Sequence, residues 1–143
     1  MKWITRENVK VDRVACPWLI KRFIDPSAEF IFVQEAVILE RSRDLEATPF
    51  DVPKNPGVKL NHRDGYCSFE TILEEFHLKG NPALARLALI VHGADIPREM
   101  HAAPESAGLY AIANGFSKTC TSDEERLEKQ FPVYDALYEF CKQ

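Results

Sequence analysis

Nine prolines cut this 143-residue chain into short segments, and their positions limit what each segment can become. Proline tolerates the first turn of a helix, restricts the residue before it, and cannot continue a ladder of amide donors. Pro17 suits an early helical position, so a first helix is expected to start near Asp12 to Cys16 and run to Phe23, where Asp25-Pro26 stops it. Phe30 to Val33 is a continuous apolar run and reads as a buried strand, and Glu35 to Leu45 reads as a short helix. Pro49, Pro53 and Pro56 mark a loop, with a short strand at Val58 to Leu60.

The second half reads as helices with their own end signals. Ser68 is an N-cap candidate for a helix to about His77. Asn81-Pro82 opens another, which Gly93 should end, and Pro104 opens a third, which Gly115 should end. Ser122 with Glu125 forms a capping box for the last helix. In that helix Leu127, Phe131, Tyr134, Leu137, Tyr138 and Cys141 recur at helical steps as a buried stripe, and Pro132 should kink or split it. The sum is an α+β fold: one mostly helical domain over residues 1–143 with a small β-sheet.

Charge and cysteine usage narrow the setting. The net charge of −4 lacks the basic surplus of a nucleic-acid binder, so nucleic acid is not expected as a partner of this chain alone. No stretch has the length of a membrane span, and MKWITRENVK has no apolar core of signal-peptide length. Cys16, Cys67, Cys120 and Cys141 show no CxxC pairing, so four reduced thiols and a cytoplasmic location are expected.

Two constellations carry the chemistry. Asp12, Arg13, Trp18, Lys21 and Arg22 crowd one helical segment, and its cations could converge on a tetrahedral oxyanion, which needs fork-like donors. The same residues also fit a plain structural reading, with Arg13 paired to Asp12 or Asp25 and Trp18 in the core. His62, Asp64, Cys67, Glu70 and Asp95 include the ligand types for iron, zinc or manganese, and His62, Glu70 and Asp95 are the metal candidates. Here too a structural reading stands: Glu70 in a first helical turn, Cys67 as a small buried hydrophobe, Asp95 capping a turn. His77 and His92 lie at expected helix ends, where a cation suits the dipole, and His101 lies in a polar loop.

KVDRVACPWLIKRFIDP (Lys10 to Pro26), HRDGYCSFE (His62 to Glu70), VHGAD (Val91 to Asp95) and VYDALYEFC (Val133 to Cys141) together resemble the C-terminal domain of the bacterial chromate-resistance regulatory protein. The resemblance covers nearly the whole chain. It implies a small cytoplasmic binding or sensor domain for chromate, a related oxyanion or a metal ion. The alternative it leaves open is a small metal- or redox-dependent enzyme of oxyanion detoxification. A protein partner or a second copy of the chain fits either setting. In that family an Arg often stands at the position of His92, which argues against a strict ligand role there. The two constellations are expected to face one cavity, with Arg13 and Arg22 toward an anion and His62 with Glu70 toward a metal.

Overall fold

The computed structural model describes residues 1–143. Its sheet has three parallel strands, β1 (Lys2–Arg6), β2 (Glu29–Val33) and β3 (Thr48–Pro49), in the order β2-β1-β3. The helices are α1 (Val11–Leu19), α2 (Ile38–Leu45), α3 (Ser68–Glu75), α4 (Pro82–Asp95), α5 (Ser106–Thr119) and α6 (Asp123–Cys141). The fold is therefore α+β, mostly helical with a small sheet.

The central strand, β1, carries no strong signal in the sequence, because only Trp3 and Ile4 in KWITR are large and apolar. Successive strand residues point to opposite faces. Trp3 accordingly enters the main core with α1, α3 and α4, while Ile4 enters a smaller core with Ile38, Ala47, Val52 and Val58. In β2, Phe30 and Phe32 pack on the main core and Ile31 and Val33 on the smaller one. The Phe30–Val33 strand is thus present, but as an edge strand it is half-buried, not fully enclosed. Val58 to Leu60 makes no strand; Leu60 joins Phe50 through a single parallel bridge.

Several helix ends differ from expectation, each for a physical reason. Pro17 lies inside α1, and the helix continues from Ile20 to Ile24 as a π-turn, closed by an Asp25 N–H bond to the Ile20 carbonyl of 2.7 Å. Ser68 is the first helical residue of α3 and Cys67 the N-cap, because the carboxylate of Asp12 caps the helix from outside. Gly93 does not end α4, which runs to Asp95; it sits where α5 crosses, and a Cβ there would lie 2.4 Å from Ser106 Oγ. Gly115 likewise lies within α5. Asn81 accepts from the Ala83 and Leu84 amides and Ser122 from the Glu125 amide, as capping predicts. α6 runs through Pro132 as one helix, since both Pro132 and Glu128, whose carbonyl loses its partner, face solvent. In its stripe Leu127, Tyr134 and Cys141 are buried, while Phe131, Leu137 and Tyr138 are half-buried against the core. All four cysteines are free thiols.

Candidate metal and oxyanion site

In an open parallel sheet, ligands sit outside the carboxyl ends of strands, at the point where the strand order reverses. Here that place is between β1 and β3. The connection after β1 passes through α1 on the main-core face, and the connection from β2 to β3 passes through α2 on the other. Arg6 ends β1, Asp51 follows β3 by two residues, and α1 delivers Asp12 and Arg13 from its first turn. The loop before α3 brings His62, and the last residue of α4 is Asp95.

These side chains meet at one imidazole nitrogen. His62 Nε2 lies 3.2 Å from Asp12 Oδ2, 3.2 Å from Asp95 Oδ2 and 3.5 Å from Asp51 Oδ1. Asp12 is 1% exposed, whereas the His62 side chain is 40% exposed, so the cluster is anchored inside and open on one side. Asp12 also accepts the Ser68 and Phe69 amides at 2.8 and 3.0 Å, which satisfies the first turn of α3. Ser68 Oγ donates to Asp51 Oδ1 at 2.8 Å. Asp51 holds a left-handed backbone, φ +50°.

The electrostatics follow from this crowding. Burial and the neighbouring Asp95 push the Asp12 carboxyl up to about 7, although the hydrogen bond to His62 opposes them. His62 is raised to about 10, first by its hydrogen bond to Asp12 and then by that to Asp95, against burial. Arg6, Lys10, Arg13 and Lys54 join Asp51, His62 and Asp95 around a cavity of about 320 Å³. Arg13 spends most of its donors on the chain itself. Nη1 donates to the Arg6 and Glu7 carbonyls, both at 2.8 Å, and Nη2 to the Asn8 carbonyl, while Nε lies 3.5 Å from Asp51 Oδ2.

The sequence candidates thus divide. Asp12, Arg13, His62 and Asp95 come together. Trp18 and Arg22 instead hold Asp135 of α6: Trp18 Nε1 donates at 2.8 Å, and Arg22 Nε and Nη2 each donate at 3.0 Å. Lys21 donates to the Ala28 carbonyl. Glu70 lies in a neighbouring group, against Cys67 and His92. Asp51 and Arg6 were missed from sequence, and no local signal marks them until β1 and β3 are known to be adjacent strands. Ending the helix at Gly93 hid that Asp95 stands in the last turn of α4, three residues after His92.

Fold and cluster define a small α+β domain with a histidine–carboxylate pocket at the switch point of a parallel sheet. Residues 3–141 match the family model described as ChrB, C-terminal domain, and the chain belongs to that family. It is 35% identical over 137 residues to Protein ChrB of Cupriavidus metallidurans, an alignment that takes in 96% of this chain and 40% of that protein. The chain therefore spans well under half of that relative's length. No solved structure matches it. No helix is long and apolar enough to cross a membrane.

Proposed function

We propose that the Asp12, Asp51, His62 and Asp95 cluster binds one divalent metal ion, iron, zinc or manganese, and that the domain is a cytoplasmic binding or sensor module in chromate resistance. The observation that carries this reading is the meeting of three carboxylate oxygens, two of them from buried residues, at His62 Nε2. Carboxylates forced together repel, and a cation of charge two relieves that better than one imidazolium. One imidazole among oxygen donors suits manganese, iron and zinc.

Arg6, Lys10 and Lys54 on the cavity wall favour a second element of the same reading. An oxyanion such as chromate would be repelled by the carboxylates alone. With a metal in place it could bridge the ion and the basic wall. Arg13 then acts by fixing the Arg6–Asn8 loop and Asp51. The family membership supports the biological setting, and turnover of an oxyanion would favour the enzyme alternative.

Calorimetry with manganese, iron(II) and zinc tests the reading. Wild-type protein should bind near one ion at this cluster, and His62→Ala and Asp95→Asn should each lose at least about tenfold in affinity with the fold kept. Unchanged affinity in both variants would sink it.

A further inference from the structure

Beside the residues that Asp12 caps lies a second group of ligating side chains. Cys67 is the N-cap of α3, Glu70 stands three residues on in its first turn, and His92 projects from the last turn of α4. The Cys67 sulfur, a Glu70 carboxylate oxygen and a His92 ring nitrogen all lie within 4.8 Å of one another. Cys67 is fully buried and forms no disulfide. Glu70 Oε1 is held by the Cys67 amide at 3.0 Å and lies 2.5 Å from His92 Nδ1. The other ring nitrogen, Nε2, is bound to Glu99.

That last contact is what points to a ligand. With a carboxylate on each ring nitrogen, His92 donates from both in the metal-free chain; when a metal takes the place of the Nδ1 proton beside Glu70 and Cys67, Glu99 still holds the proton on Nε2. Histidines that ligate metals are oriented in this way by an outer carboxylate. Thiolate, imidazole and carboxylate together are a zinc donor set, with a fourth position for water. We propose that Cys67, Glu70 and His92 form a zinc site, with Glu99 as the positioning residue that orients His92.

The charges close: one thiolate and one carboxylate neutralise Zn²⁺ in a half-buried place. On binding, zinc replaces the thiol proton of Cys67 and the Nδ1 proton of His92, and both leave to solvent. None of these residues belongs to the His62 cluster, so the site stands whether or not that cluster binds a metal. The site gives His92 a ligand role, against the expectation from the sequence.

Cobalt(II) loading of the full chain tests it, since a thiolate ligand gives cobalt a charge-transfer absorption that carboxylate and imidazole do not. We expect a band of the intensity of one thiolate-bound cobalt per chain, displaced by zinc. Cys67→Ser and His92→Ala should abolish it. Cys16→Ser should leave it, although the Cys16 thiol lies 3.4 Å from Asp12 Oδ1 beside the first cluster. Glu99→Gln should keep the stoichiometry and weaken zinc, read by displacement of the band, by about 10- to 100-fold. A wild-type protein without the band overturns the proposal, as does a band that survives in Cys67→Ser or is lost in Cys16→Ser. Should Cys67→Ser fail to fold, by circular dichroism, a folded His92→Ala that retains the full band overturns it equally.

Discussion

Asp12 serves two structures at once: its carboxylate closes the first turn of α3 and faces His62 in the pocket. Removing it leaves two buried amides without an acceptor, and an unsatisfied buried donor costs about 1–3 kcal/mol. Asp12→Ala should therefore destabilise the protein by roughly 2–5 kcal/mol in urea melts, and Asp12→Asn, which keeps an oxygen acceptor, by clearly less. The pH dependence of the metal-free protein has a definite sign. His62 titrates at 6.5 in the unfolded chain and near 10 when folded, so its contribution is complete below 6.5 and is lost as pH rises toward 10. Asp12, raised from 3.8 to about 7, acts in the same direction over its own lower range. The urea midpoint should fall between pH 6.5 and 10, and His62→Ala should flatten that fall. A wild-type midpoint that rises over this range would contradict the arrangement.

Among the elements, the contact of α4 with α5 sets where Asp95 and His92 stand, and it depends on one missing side chain. A Cβ on Gly93 would meet Ser106 Oγ at 2.4 Å and Ser106 Cβ at 2.8 Å, and that hydroxyl already donates to the Ile90 carbonyl. Gly93→Ala would improve helix propensity by about 1 kcal/mol, but overpacking costs about 1–3 kcal/mol or more. We expect a net loss of about 1–2 kcal/mol by chemical denaturation, together with weaker metal binding. The sequence marked Gly93 correctly as special but for the wrong reason, because a close helix crossing and a helix end ask for the same residue. Helices α4 and α6 were legible because Asn81 and Ser122 announce their starts locally. Strand β1 was not, because KWITR becomes a strand only through its two neighbours. The pocket was half legible: Asp12, His62 and Asp95 are suggestive residue types, but their meeting is tertiary. Nothing local says that Trp18 and Arg22 turn toward Asp135 on α6 instead.

For the whole molecule, a ligand that binds only the folded chain adds to its stability. At a free metal concentration of 100 times the dissociation constant the gain is about 2.7 kcal/mol. A domain of this size shifts by roughly 3 °C for each kcal/mol, so the melting midpoint should rise by about 8 °C. Scanning calorimetry with manganese should show that rise in wild type and little of it in His62→Ala. The loop that carries Arg6 to Asn8, on which this pocket is built, is itself fastened from the far end of the chain. The Asp123 carboxylate, at the start of α6, accepts the Asn8 and Val9 amides at 2.9 and 2.8 Å. A nascent chain on the ribosome would therefore have all four proposed metal ligands outside the exit tunnel well before the latch that steadies them. Metal capture should come late in synthesis, after α6 has docked, and a chain cut short before Asp123 should emerge unable to hold the ion.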